Sequence, residues 1–206
     1  ERIPVGLRAF RRAVSPQDYA DLALSETGVA QARVDVLGGP RNRRIVVTVV
    51  GTGSEPGAVV DFPELSDLAA VLRAAGDPRA PLEVVTFDPL RFALEGELQV
   101  AADADPRTVQ AAADALLRRR FAPRNLPLGG SVYASEIVTA LHDVASVVWL
   151  RLSTPSLNTD APTPQIIGRP AVMNTQGAVL GATLPILGSV TLDARAVVDL
   201  DPQGSR

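Results

Sequence analysis

Few residues of this chain have types and spacing that could do chemistry, and the most suggestive group is Ser135, His142 and Asp143. A serine, a histidine and an aspartate are the side chains of a nucleophilic hydrolase, in which the imidazole accepts the proton of the attacking hydroxyl. Ser135 and His142 are seven positions apart, which on a helix is a rise of roughly 10 Å. Asp143 adjoins His142 and therefore points elsewhere. The sequence favours a surface or helix-end histidine, and a small hydrolase is the less favoured alternative.

A second candidate is the carboxylate pair Glu95 and Glu97, which share one face of a predicted strand. Paired carboxylates can act as general acid and base, or they can hold a hard cation. On an otherwise polar sheet face such pairs are more typical of solvated surface. A ligand- or carbohydrate-binding module that uses this face is the main alternative function.

Composition argues against several kinds of site. The chain has no cysteine and one histidine, so a zinc or other transition-metal site would lack ligands. None of its glycine turns has the spacing of a phosphate loop or of a dinucleotide fingerprint. We therefore expect no metal, no cofactor, no small-molecule substrate and no enzymatic activity.

The charges indicate protein contacts rather than nucleic acid. The net charge is -3, which argues against a broad nucleic-acid footprint, and all 20 basic residues are arginines. Arginine is enriched at interfaces and pairs with carboxylates through two parallel hydrogen bonds. The first arginine cluster, Arg8, Arg11 and Arg12, is therefore a candidate contact with an acidic partner. No apolar run is long enough to span a bilayer, so we expect no direct membrane insertion.

The first predicted module, residues 1–88, has the order α-β-β-α-β. Ser15 can cap its first helix, Pro16 suits the first helical position, and Asp18 lies three residues after the cap. Gly28 fits the left-handed position after the helix. The predicted elements are a helix at 16–25, strands at 29–37 and 44–51, a helix at 63–75 and a strand at 82–87.

The second predicted module is residues 89–153, and it resembles the first. Phe92, Leu94, Leu98 and Val100 alternate with polar residues, which predicts a strand of an antiparallel sheet with one solvent-exposed face. Helices at 105–121 and 134–142 and a strand at 146–152 follow. Residues 15–34 and 133–152 align without a gap as helix, turn and strand, with an arginine at the same place in each strand.

The remaining residues, 154–206, predict a β-rich tail or extension. Two strands are predicted there, at 178–187 and 190–200, joined at Gly188 and Ser189. Together the patterns predict an α+β fold: two similar small αβ modules with mainly antiparallel sheets and helices packed on one face, plus the C-terminal tail. The chain begins at Glu1 in mid-pattern, and we expect it to be a piece of a longer protein.

Two segments resemble the baseplate J-like family of contractile phage tails and related injection systems. Residues 12–23, Arg-Ala-Val-Ser-Pro-Gln-Asp-Tyr-Ala-Asp-Leu-Ala, followed by Gly-Val-Ala-Gln-Ala at 28–32, are similar to that family's signature. Residues 129–137, Gly-Gly-Ser-Val-Tyr-Ala-Ser-Glu-Ile, are similar to a second family segment, although Leu128 stands where an aromatic residue is common. The resemblance covers roughly residues 1–153.

The resemblance implies a structural wedge component that assembles around the central hub of a contractile tail and links to the sheath. It implies partners among other wedge proteins, including a paralogue or second copy, and among the hub, spike and sheath proteins of the same particle. Assembly would take place in the bacterial cytoplasm. Tyrosine, tryptophan and arginine are favoured at the centres of interfaces. The candidate interface residues are Arg8, Arg11, Arg12, Tyr133, Trp149 and Arg151.

Overall fold

The computed structural model describes residues 12–39, 42–53, 59–157 and 165–197, with the backbone alone at 59–60 and 154–157. The candidates Arg8 and Arg11 lie outside these ranges. Contacts divide the chain into two compact units. Unit 1 contains the described residues up to Asp88, with Pro127–Gly129 and Arg169–Leu184; unit 2 contains Pro89–Leu126, Gly130–Gly168 and the described residues from Pro185 onward. The division predicted at residues 88 and 153 stays a prediction.

The described residues form helices and short sheets, which confirms the α+β class. The helices are α1 (Pro16–Ser25), α2 (Leu65–Ala75), α3 (Pro106–Arg120) and α4 (Ala134–His142). The strands are β1 (Val29–Leu37), β2 (Arg44–Thr52), β3 (Val59–Val60), β4 (Leu82–Thr86), β5 (Asp88–Val100), β6 (Val132–Tyr133), β7 (Val147–Leu157), β8 (Gln165–Ile166), β9 (Val172–Met173), β10 (Val179–Leu180) and β11 (Thr183–Ala196).

Unit 1 is built around β2, which is buried on both faces. It pairs antiparallel with β1 and parallel with β4. On one face Ile45, Val47 and Val49 pack with α1 and α2 in the core. On the other face the backbone N–H of Ala182 donates to Thr48 Oγ1 at 3.0 Å, so the segment 169–184 lies against the sheet. Burial on both faces explains why β2 reads as a continuous apolar run instead of an alternating one.

The start and end of α1 follow the sequence closely. Ser15 Oγ accepts the backbone N–H of Asp18 at 3.2 Å, and the Asp18 carboxylate accepts the N–H of Ser15 at 2.8 Å. Gly28 has φ +88°, the left-handed conformation that favours glycine. Tyr19 is buried, and Gly76 leaves room for its ring, since a Cβ at Gly76 would overlap the Tyr19 hydroxyl. These contacts anchor α1 against the end of α2.

Unit 2 is built around β5, which confirms the predicted alternation. Phe92, Leu94, Leu98 and Val100 are buried against α3 and α4, whereas the intervening residues from Glu95 to Gln99 alternate to the surface. Strand β7 pairs antiparallel with β5, and β11 flanks it on the other side. Gly188 lies beside the Phe92 carbonyl and the Val197 N–H donates to the Val100 carbonyl, so β11 runs in the same direction as β5.

The two units repeat one local plan. When Ser15 is aligned with Tyr133 and the alignment continues without a gap, α1 corresponds to α4 and β1 corresponds to β7. Gly28, at φ +88°, then corresponds to Ser146, which has φ 70°. Among the described residues, Ser146 is the one non-glycine residue with a positive φ. Both strands also show a register shift in their first residues, after Val29 and after Val147. The predicted similarity of the modules therefore extends to backbone conformation.

The predicted junction of two tail strands at Gly188 and Ser189 is wrong, because β11 runs through both residues as one strand. A tight hairpin turn needs residues with positive φ, and Gly188 is not among the positive-φ glycines. The hairpin lies earlier, between β9 and β10. There Gly177 has φ +82°, and the Asn174 side chain accepts the N–H groups of Gln176 and Ala178.

Replacing Thr48 by valine removes the buried hydroxyl that holds the N–H of Ala182 and leaves that donor unpaired. We expect Thr48→Val to lower the free energy of unfolding by about 1–3 kcal/mol. The matched control is Thr52→Val on the same strand. The Thr52 hydroxyl donates to the Gly28 carbonyl at 3.3 Å, but it is exposed and water can replace it, so we expect a change within about 0.5 kcal/mol. Urea denaturation measures both, and equal effects would contradict the role given to Thr48.

Asp105 caps α3, and its carboxylate accepts the hydroxyl and backbone N–H of Thr108. The Thr108 hydroxyl bond, then the backbone bond, hold the pKa of Asp105 below its ordinary value of 3.8. A lowered pKa contributes stability above the ordinary value, and that contribution is lost as the pH falls through the lowered one. Between about pH 6 and about pH 2 we expect a larger fall in melting temperature for the unmodified chain than for Asp105→Asn, which cannot titrate. Parallel falls would contradict this.

Candidate interface surfaces

Two of the candidate interface residues lie together on one strand face. Trp149 and Arg151 both point outward from β7, and they pair in register with Gln99 and Glu97 of β5. Trp149 is 44% exposed although it is a large aromatic residue. The alternation that places Trp149 and Arg151 on one face thus holds in the structure.

The remaining candidates lie elsewhere. Tyr133 is in β6, which pairs with β8, and its side chain is 45% exposed just before α4. Arg12 is exposed at the beginning of the described residues, next to Ala13, whose N–H donates to the Ala75 carbonyl. The interface roles of all six residues stay predictions.

Charged residues on β11 extend the surface that contains Trp149. Arg195 donates to the Asp193 carboxylate at 3.0 and 2.5 Å. This hydrogen bond, then the charge of Asp193 and finally that of Glu97, raise the pKa of Arg195 above its ordinary value. Leu192 of β11 is buried in the core, so the alternating residues Asp193 and Arg195 lie on the opposite, solvent-exposed side of the sheet, as Glu97 does on β5. We call it the outer face of unit 2, and its exposed residues are Glu95, Glu97, Gln99, Trp149, Arg151, Ser153, Thr191, Asp193 and Arg195.

The residues first considered for catalysis, Ser135, His142 and Asp143, are all exposed. The ring nitrogen Nδ1 of His142 lies 2.8 Å from the Val138 carbonyl, one turn back on α4. The Ser135 carbonyl accepts the Thr139 hydroxyl, and no hydrogen bond joins Ser135 to His142 in the described part of the chain. Within residues 12–39, 42–53, 59–157 and 165–197, no three acidic or histidine side chains cluster in a way that could hold a metal ion.

Sequence reasoning missed the function of the polar face of β1. Arg33 donates to the Leu128 carbonyl at 2.9 Å and to the Asp35 carboxylate at 3.1 Å. Asp35 in turn accepts the N–H of Ala171 at 3.0 Å. These side chains therefore hold two distant segments of unit 1 onto its sheet. Alternation alone predicts a wet face here, and no local signal identifies partners so far along the chain.

A second group of polar contacts holds the segment 169–184 in unit 1. The Arg169 guanidinium binds the Asp88 carboxylate, and the Arg169 N–H donates to Thr183 Oγ1 at 2.7 Å. The Thr183 N–H donates back to the Arg169 carbonyl at 3.0 Å. Unit 1 is thus completed by residues that are distant in sequence from its helices.

Two open grooves lie in unit 1. One, of about 680 Å³, is lined by Arg44, Arg73 and Arg79 among others. The other, of about 470 Å³, runs between α1, β1 and Leu128. Glu95 and Glu97 line neither groove, and both lie on the open outer face of unit 2.

Residues 11–85 match the sequence model of the baseplate J-like central domain. The chain carries a baseplate J-like domain. The match includes α1, β1, β2, α2 and most of β4, and it confirms the resemblance that the residues after Arg12 suggest. The helix cap, the buried Tyr19 and the glycine turn described above are therefore features of this baseplate J-like domain.

The fold of this chain is similar to that of a chain in the cryo-EM structure of the anti-feeding prophage baseplate, which was six-fold symmetrised. The TM-score is 0.58, and the sequence identity is 16%. The match covers 89% of this chain but only 38% of that chain, so this chain spans well under half of its length. No curated protein matches the sequence. Among the described helices, none is long and apolar enough to cross a membrane.

Arg33 and Arg151 occupy matching positions in the two units, but only Arg33 is seen to hold a distant backbone carbonyl. We expect Arg33→Ala to lower the free energy of unfolding by about 1–2 kcal/mol, because its bonds to Leu128 and Asp35 are lost. Arg151→Ala should change it by no more than about 0.5 kcal/mol, since Arg151 is exposed. Chemical denaturation of both variants makes the comparison. A destabilised Arg151→Ala would assign that arginine to the fold and not to an interface.

Proposed function

We propose that this chain is a structural component of the baseplate of a contractile phage tail or injection system. The observation that carries the proposal is the match of residues 11–85 to the baseplate J-like central domain. The similarity of fold to a chain of the anti-feeding prophage baseplate supports it. The chain would act through surfaces pressed against neighbouring proteins, with no bond made or broken.

In this proposal the chain is part of a wedge that surrounds the central hub and links to the sheath. Its partners would be other wedge proteins, including a paralogue or second copy, and hub, spike and sheath proteins of the particle. Interfaces between copies would hold a ring in a metastable state, and triggering would exchange one set of contacts for another. Assembly in the bacterial cytoplasm is part of the same proposal.

The physical state of the polar groups supports a structural role. Asp105 and Arg195, whose pKa values are shifted mainly by hydrogen bonds, are both exposed. Every buried side-chain nitrogen or oxygen described has a hydrogen-bond partner. The polar groups are thus used for holding segments together.

Deleting the gene and imaging the particles tests the proposal. We expect particles without a complete baseplate, restored by the unmodified gene, and we expect the chain in particles purified from the unmodified host. Complete particles that lack the chain would contradict the proposed function.

Charge reversal tests the first arginine cluster separately. If Arg11 and Arg12 bind an acidic partner, Arg11→Glu/Arg12→Glu should lower incorporation into particles by at least about tenfold, because like charges then face each other. The control is Arg119→Glu/Arg120→Glu, a second pair of adjacent arginines, which is exposed on α3. Quantitative mass spectrometry of purified particles measures both. Normal incorporation of the Arg11/Arg12 variant would reject that contact and leave the baseplate role standing.

A further inference from the structure

The outer face of unit 2 matches a face of unit 1 that the chain itself covers. The register of β1 with β2 pairs Arg33 with Thr48, and that of β7 with β5 pairs Arg151 with Glu97. The next pair on the same side of each sheet also corresponds. Asp35 is paired with Val46 in unit 1, and Ser153 is paired with Glu95 in unit 2. Each position on one face therefore has a counterpart on the other.

In unit 1 this face is covered by residues 127–129 and 169–184, and the second stretch includes the β9–β10 hairpin. Side chains on the sheet hold the cover: Thr48 and Asp35 accept the N–H groups of Ala182 and Ala171, while Arg33 donates to the Leu128 carbonyl. Thr48 has no exposed surface. The face thus binds a polypeptide by offering it hydrogen-bond acceptors and one guanidinium.

In unit 2 the counterparts of Thr48, Asp35 and Arg33 are Glu97, Ser153 and Arg151, which are all exposed among the described residues. Glu97 and Ser153 can accept N–H groups, and Arg151 can donate to a carbonyl. Trp149 stands among them with 44% of its surface exposed. A polar face with one aromatic anchor is typical of interfaces that form and separate, whereas permanent covers bury apolar residues.

The charges on the outer face of unit 2 indicate which kind of side chain a bound polypeptide segment would place there. Arg195 already binds Asp193, and both are exposed on the same side of the sheet as Glu97. No ion pair joins Glu95 to a cation in the described part of the chain, and its register partner is the uncharged Ser153. A basic side chain on the occupant would pair with Glu95.

We propose that the outer face of unit 2 binds an extended segment of another polypeptide chain, with an apolar residue on Trp149 and an arginine facing Glu95. The segment occupies positions like those that the Leu128 carbonyl and the N–H groups of Ala171 and Ala182 occupy in unit 1. The inference rests on the proposed function in one respect: the other chain is a protein of the same particle.

Trp149 is the single tryptophan of the chain, so its oxidation by hydroxyl radicals is an unambiguous probe. We expect strong oxidation in the isolated full chain and at least about tenfold less in purified particles, because a hot-spot aromatic is fully desolvated when bound. Equal oxidation in both would overturn the inference and leave the baseplate role intact. Protection already present in the isolated chain would also overturn it, since the chain's own residues would then cover the face.

The chemistry of the occupant is tested by charge reversal and cross-linking. Glu95→Arg should lower incorporation into particles at least about tenfold, as expected for like charges at an interface. Asp103→Arg, an exposed acidic residue on a turn of the same unit, is the matched control and should incorporate normally. Thermal melting of both isolated variants checks that they fold.

A photo-reactive residue at Ser153 should cross-link in particles to a segment that contains arginine. Cross-linking to the outer face of a second copy, or to a segment without a basic residue, would overturn the proposed occupant. Absence of the chain from particles would overturn both this inference and the proposed function.

Discussion

The burial of β2 on both faces is the constraint on which unit 1 depends. One face is covered by α1 and α2, which lie close to β2 in sequence, whereas the other is covered by residues 169–184. A strand buried on both faces must be apolar throughout, and any polar group on it must find a partner. Thr48 meets that requirement through Ala182. Unit 1 is therefore completed by residues 169–184, which follow most of unit 2 in sequence.

The same local plan has two outcomes in the two units. In unit 1 the central strand presents Val46, Thr48 and Val50 to the second face, and all three are fully buried. In unit 2 the central strand presents Glu95, Glu97 and Gln99, which are exposed. The buried face of unit 1 and the exposed face of unit 2 thus differ in polarity at all three of these positions.

The parts of the fold that were predictable are those with a local cause. The helix at 16–25 begins and ends as predicted because the cap residues and Gly28 act within a few positions. The strand ending at Val100 was predictable because one face meets water and the alternation is visible. The tail was harder, since Gly188 looks like a turn in sequence but continues a strand that packs beside β5. Of the candidate interface residues, the pattern predicted that Trp149 and Arg151 share a face, and only the structure showed their charged neighbours on β11.

By itself the sequence determined the helix ends, the strand periodicity and the family signature near Tyr19, because each depends on residue types at short spacing. The tertiary structure alone decided which polar residues hold the fold together and which remain exposed. Arg33 and Arg151 show this most clearly: each follows the same helix and turn, and each lies on the same side of its strand. Their difference lies in whether a segment from far along the chain returns to cover them. Contacts of that range leave no periodic trace in sequence, because they are set by where the whole chain runs.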